Sequence, residues 1–226
     1  MPFVIKKYEA NKYNFKNLVL DCFEVDNLQN MHIEKKKLLP EKKLNFSNES
    51  KTNFHELFYN KLNSGWEEIK LSYEKFISQE VSKNFKQDFV YQAFPSFRIH
   101  IPDDQAIHYW HYDSDNDHRH PEWEINFQIA ITDMFDSNCT WVESVPGLRD
   151  FQPMQMKYGE YAIFDGNRCM HGNKPNMTGR TRVSFDFRVM PYDKYEEMVQ
   201  SKKIKSSATA NRQFLIGQYY KLFINN

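Results

Sequence analysis

Cysteine is scarce in this chain. Cys22, Cys139 and Cys169 are the three present. An odd, widely spaced set supports neither a disulfide framework nor a zinc ribbon. An excess of one charge is missing too. Lys+Arg and Asp+Glu both number 30, so the basic stripe that a nucleic-acid partner needs is not expected. No run approaches the roughly 20 apolar residues that span a bilayer. Lys6 and Lys7 are not followed by the apolar run of a signal peptide. Glycine stands at 7 residues, and neither an internal repeat nor a low-complexity linker divides the chain. The expectation is one soluble, cytoplasmic domain over 1–226, with no membrane and no nucleic-acid partner.

Large apolar side chains are abundant: 19 Phe, 13 Tyr and 4 Trp make 16% of the residues aromatic. Such a composition buries a real core and argues against global disorder. The patterning falls into three regions. Region 1–87 begins weakly patterned, with a lysine cluster (Lys35, Lys36, Lys37, Lys42, Lys43) around Pro40 that reads as a solvated loop. Its second half is helical. Phe54, Leu57, Phe58 and Leu62 mark a short helix. Trp66, Ile69, Tyr73, Phe76, Ile77 and Val81 form one apolar stripe behind a Ser64–Glu67 capping-box signature. Region 88–191 switches to short alternating segments split by turns such as Pro146-Gly147 and Asp165-Gly166-Asn167. That is the pattern of a sandwich or barrel of jelly-roll type. Region 192–226 returns to a weak helical period through Tyr195, Met198, Phe214, Leu215, Tyr219 and Leu222, read as one or two C-terminal helices.

Two of the strand segments have opposed faces. In residues 124–132, Ile125, Phe127, Ile129 and Ile131 alternate with Glu124, Asn126, Gln128, Ala130 and Thr132. In residues 182–189, Val183, Phe185, Phe187 and Val189 alternate with Arg182, Ser184, Asp186 and Arg188. Successive strand side chains point to opposite faces. The plain alternative is a sheet with its polar face in water. Two such specific polar sets favour a polar cavity, with helices covering the other face.

Five of eight histidines lie between positions 100 and 120. His111-Tyr112-Asp113 places an imidazole and a carboxylate at i and i+2, on one face of an extended segment. His171, between one strand segment and the next, is the candidate third ligand. Two histidines and one carboxylate leave three positions of an octahedral ion open, which suits ferrous iron, a chelating co-substrate and dioxygen. His118 and His120 compete for the role, but neither has a carboxylate at i+2 except across Pro121, where Glu122 follows His120. His-X-Asp alone also describes a turn histidine beside a solvated aspartate. It gains weight from Arg182 and Ser184, eleven and thirteen residues past His171 on one strand face. A rigid guanidinium fork with a hydroxyl beside it forms a receptor for a carboxylate. The alternative for Arg182 is a surface ion pair.

His-X-Asp, a distant His, then Arg-X-Ser resembles the Fe(II)- and 2-oxoglutarate-dependent dioxygenase superfamily. The stretch from Phe94 to Pro191 looks closest to its phytanoyl-CoA-hydroxylase-like branch, and in particular to oxygenases of the streptomycin-biosynthesis type. The residues behind that match are Glu124 to Phe127, Trp141 to Gly147, His171-Gly172-Asn173 and Thr178 to Arg188. The resemblance implies a double-stranded β-helix (a cupin-like jelly roll, mainly β with flanking helices). It implies iron on His111, Asp113 and His171, and 2-oxoglutarate with its far carboxylate on Arg182 and Ser184. Asn126 and His108 are candidates for the near end of the co-substrate. For His108 a purely structural histidine is an equal reading. The retained Asp113 implies hydroxylation, desaturation or cyclisation rather than halogenation, for which related enzymes leave that position empty.

Arg98, Glu143 and Trp141 are the candidate substrate contacts, with the run from Asp115 to His120 on a loop over the mouth. They point to a small polar substrate (a sugar, aminocyclitol or amino acid) and to a monomer or homodimer. Two other classes compete: a cupin-like metal-dependent sugar isomerase or epimerase, and a non-catalytic ligand-binding jelly roll. The isomerase or epimerase reading leaves Arg182 and Ser184 without a dedicated ligand.

Overall fold

The computed structural model describes residues 2–41, 45, 51–106, 109–204 and 213–225. Its main sheet runs β1 (Phe3–Lys7), β7 (Glu160–Phe164), β4 (Ile125–Ala130), β9 (Arg182–Pro191), β2 (Phe89–Gln92) and β10 (Tyr220–Phe223), with β3 (Ser96–His100) also paired to β9. A smaller sheet runs β6 (Gln152–Met154), β5 (Thr140–Val142) and β8 (His171–Asn173). Every strand pair is antiparallel. β9 is central: Phe127 lies opposite Phe187 on one side, and Arg98 opposite Ser184 on the other.

The two faces of the main sheet meet different partners, as the alternation requires. Helices α1 (Ala10–Tyr13), α2 (Phe15–Phe23), α3 (Met31–Glu34), α4 (Asn53–Asn63) and α5 (Glu67–Phe76) come from the N-terminal region. They share one core with Phe127, Ile129, Phe185 and Phe187. Phe58 stacks on Phe97 with ring centroids 4.4 Å apart, and Tyr73 meets Phe187 edge-on at 5.3 Å. Burying each such ring contributes roughly 1.5–3 kcal/mol. The polar face looks toward the smaller sheet, and its side chains are buried as well: Asn126, Gln128, Arg182, Ser184, Asp186 and Arg188. This is the expected jelly roll, mainly β with flanking helices.

Local expectations fared unevenly. The stripe from Trp66 to Val81 is buried as read, and its end is a π-helical turn over Ile77–Val81. The capping box does not form. Gly65 at φ +97° separates the helices, so Ser64 closes α4 with its hydroxyl donating to the Lys61 carbonyl, and Trp66 takes the N-cap position of α5. Thr52 caps α4 instead. Residues 1–41 are less bland than their pattern. Tyr13, Phe15, Val19, Phe23, Leu28 and Met31 are core, and β1 extends the sheet edge. The C-terminal region holds one helix, α6 (Tyr192–Gln200). The second expected helix is corrected to strand β10, since Tyr220 is buried while Lys221 and Leu222 are exposed and the segment pairs with β2. Lys42 and Lys43 lie outside the described residues.

Candidate metal centre and carboxylate receptor

His171 opens β8, and its backbone exchanges two hydrogen bonds with His111, each at 3.0 Å. That bridge brings a strand residue and a loop residue ring to ring, with centroids 4.3 Å apart. Asp113 follows, its backbone N–H donating to Gly166 at 2.9 Å. Asp113 Oδ1 then stands 3.6 Å from His111 Nε2 and 3.7 Å from His171 Nε2. The three ligand atoms lie within 4.8 Å of one another, and all three residues are buried.

The donors are prepared for a cation. His171 Nδ1 donates to the Cys169 carbonyl at 3.1 Å, and His111 Nδ1 faces the Tyr109 carbonyl at 3.4 Å. Those contacts place the proton on Nδ1 and leave Nε2 free to bind metal. Burial and the neighbouring His111 lower the His171 pKa to about 3, so its ring is neutral. Burial alone would raise the Asp113 carboxyl, but the Arg188 guanidinium and the histidines hold it well below the usual range. Two imidazoles and one carboxylate within reach of a single ion fit ferrous iron, which would keep positions open for other ligands.

Farther along the cavity Arg182 is 1% exposed. Its Nε donates to the Asn138 carbonyl at 3.1 Å and its Nη1 to Ser184 Oγ at 2.8 Å. Among the described residues no carboxylate forms an ion pair with it. Burial lowers its pKa to about 10, which still leaves it charged at neutral pH. A desolvated cation without a counter-ion is costly unless an anion arrives. The wall between Arg182 and the histidines is formed by Arg98, Asn126, Gln128, Thr140, Asn173 and Asp186. Free space there is about 20 Å³, roughly one water. A dicarboxylate must therefore displace side chains, and the Arg182 contact with Ser184 is the one it would replace. A larger cavity of about 390 Å³ lies by Tyr59, Gln92 and Tyr219, where the described residues form no cluster of metal-binding donors.

The other expected site residues divide. Arg98 lines the cavity, with Nε donating to Asp186 Oδ1 at 2.9 Å. Asn126 lines it too, but its amide nitrogen donates to Asp113 Oδ2 at 2.6 Å and its carbonyl oxygen is unpaired. Gly166 makes room for that amide, since a Cβ there would lie 2.7 Å from Asn126 Nδ2. Trp141 and Glu143 are not brought to the cavity. Thr140 lines it, so the next residue along β5 points to the opposite face, where Lys174 Nζ sits 3.3 Å from the Trp141 ring centre. The buried Glu143 accepts from the backbone of Met170 at 2.6 Å and Arg149 at 3.0 Å, tying loops together. His108 lies outside the described residues. His118 stands over the site, bonded to Asp115 and to Tyr109, with its ring 4.8 Å from that of His111. His120 turns away to Glu124 at 2.6 Å. Arg188 and Asp186 were legible as members of a polar face, but nothing in the sequence named Asp113 as the partner of Arg188.

The jelly roll, the His-Asp-His cluster and the buried Arg182 fit the arrangement expected of an Fe(II)- and 2-oxoglutarate-dependent oxygenase. Within that superfamily the chain belongs to the family of the streptomycin biosynthesis protein StrG of Streptomyces griseus, with which it is 30% identical over 170 residues, 75% of each chain. No family model matches. The fold is shared with a solved non-heme alpha-ketoglutarate-dependent carbocyclase, SnoK, from nogalamycin biosynthesis. The TM-score is 0.50 at 12% identity, covering 98% of this chain and 92% of that one. Among the described residues no helix is long and apolar enough to cross a membrane.

Proposed function

We propose that this protein oxidises a small polar metabolite, by hydroxylation or by desaturation or ring closure, with decarboxylation of 2-oxoglutarate to succinate. The observation that carries this reading is Arg182: a buried cation with no carboxylate ion-paired to it among the described residues, facing the same cavity as a metal-ready cluster. His111, Asp113 and His171 would hold Fe(II). Bound iron supplies, with 2-oxoglutarate and dioxygen, the oxidising chemistry that side chains lack.

The protein's own groups bind and orient. Arg182 and Ser184 take the far carboxylate of 2-oxoglutarate by charge-assisted hydrogen bonds. The Nδ1 contacts hold both imidazoles in the tautomer that binds metal. The unpaired carbonyl oxygens of Asn126 and Gln128 accept from donors on an incoming molecule. The substrate class is supported by the cavity wall, where Arg98, Asp186, Thr140 and Asn173 offer charges and hydrogen bonds. A relative acting in streptomycin biosynthesis supports a role in making a specialised metabolite. Monomer or homodimer is proposed for the assembly.

The test is succinate release from 2-oxoglutarate in air. It should require added Fe(II) and be lost in His111→Ala and Asp113→Ala. Release that continues unchanged in both variants would sink the proposal.

A further inference from the structure

We infer that Arg188 is a positioning residue that makes Asp113 a one-oxygen ligand, and that with Asn126 it forms a carboxylate cradle. The inference rests on the oxygenase reading given above and adds a role to a residue outside the ligand set.

Asp113 is fully buried, and its two oxygens are treated differently. Oδ2 accepts from Asn126 Nδ2 at 2.6 Å and from Arg188 Nε at 3.0 Å, which uses both of its lone-pair directions. Oδ1 accepts only the longer bond from Arg188 Nη2 at 3.2 Å, and it is the oxygen facing both Nε2 atoms. One lone pair, on Oδ1, is left for an ion. A carboxylate binding through both oxygens would take a further coordination position. Three open positions are what a chelating keto acid and dioxygen require, so the bonds to Oδ2 protect the third.

The cradle is itself held in place by further charged contacts. Arg188 is anchored from behind, with Nη1 donating to Asp186 Oδ2 at 3.2 Å, and Asp186 is held in turn by Arg98 at 2.9 Å. Arg188 is 6% exposed, Asp186 6% and Asn126 2%. Gly166 admits Asn126 to its place. Two guanidinium nitrogens and an amide therefore converge on a carboxylate-sized volume. Lysine cannot reproduce the arrangement, because a single ammonium cannot span Asp113 and Asp186 in a planar fork.

The experiment measures metal binding, without turnover. Co(II) is titrated anaerobically into the full-length protein, followed by its visible absorption, and 2-oxoglutarate is then titrated by calorimetry into the Co(II)-saturated protein. Arg188→Lys keeps the charge and should fold, as checked by circular dichroism. Its Co(II) affinity is expected to fall about ten- to a hundredfold, with weaker 2-oxoglutarate binding at saturating metal. Unchanged values for both would overturn the inference. Asp113→Gly gives a second measurement in which Arg188 keeps Asp186 as a partner. Millimolar formate should restore its Co(II) binding, and should fail to do so when Arg188→Lys is added. No restoration by formate, or equal restoration in both, counts against the cradle. If wild-type protein binds Co(II) in the cradle-dependent way but takes up 2-oxoglutarate no better with metal than without, the oxygenase reading fails while the cradle stands.

Discussion

Arg182 donates to Ser184 Oγ at 2.8 Å, two residues along the same strand face, and among the described residues this hydroxyl is the one side-chain acceptor its guanidinium meets. The contact keeps the fork oriented while leaving its charge uncancelled. A carboxylate entering the cavity gains two charge-assisted bonds there, each contributing about 1.5–3 kcal/mol. Arg182→Ala should therefore weaken 2-oxoglutarate binding by about a hundredfold or more while leaving Co(II) affinity near wild type. Calorimetry on metal-loaded protein measures both.

The two buried arginines should behave oppositely toward stability. Arg182 is desolvated and, among the described residues, makes no direct ion pair, so Arg182→Met in metal-free protein is expected to cost little or even to stabilise. Arg188 neutralises Asp113 and Asp186 together. Arg188→Met strands Asp113, while Asp186 keeps Arg98, and should cost about 3–5 kcal/mol, a fall of roughly 10 °C in Tm for a chain of this size. Thermal melts in chelator compare them directly.

Histidine burial sets an acid limit. Burial, with a nearby arginine, lowers His55 and His100 to about 3, against about 6.5 in the unfolded chain. Both are neutral when folded, so their contribution is complete above pH 6.5 and is lost as pH falls toward 3. Each lost share steepens the decline by up to about 1.4 kcal/mol per pH unit. Denaturant melts of metal-free protein between pH 7 and pH 5 should show the decline. His55→Gln, which can keep a bond to Thr52, should reduce its slope by one such share.

The helical cover matters to the fold and not to the ligand set. Phe58→Ala removes a ring stacked on Phe97 and packed near Phe185, at a cost of about 3–5 kcal/mol. Tm should drop by roughly 10 °C. Folded Phe58→Ala protein should titrate Co(II) as wild type does.

Much of this was legible before any coordinates. Period-two alternation in 124–132 and 182–189 separates a helix-covered face from a cavity face, and both faces are where that rule puts them. His111, Asp113, His171, Arg182 and Ser184 could be named as candidates because metal ligands and a carboxylate receptor demand particular residue types at particular spacings, and the five are buried, the three metal-ligand candidates together in one cluster. Glu143 and Trp141 misled because polarity and proximity to a strand do not reveal direction. One ties loops together and the other lies under a lysine. The partnership of Arg188 with Asp113 spans 75 residues, and only the register of β4 against β9 brings Asn126 and Arg188 opposite each other. Strand β10 was read as helix because Tyr219 and Leu222 are three apart. Pairing with the edge of β2 decided the matter against a weak local period.

The most direct test of the central claim is an anaerobic titration of 2-oxoglutarate into the protein with and without Fe(II). A visible charge-transfer band should grow to saturation at one equivalent, only with iron present. It should be absent in His111→Ala and shifted to higher ligand concentration in Arg182→Ala. A wild-type protein that binds 2-oxoglutarate equally well without iron, or develops no band with it, would contradict the account.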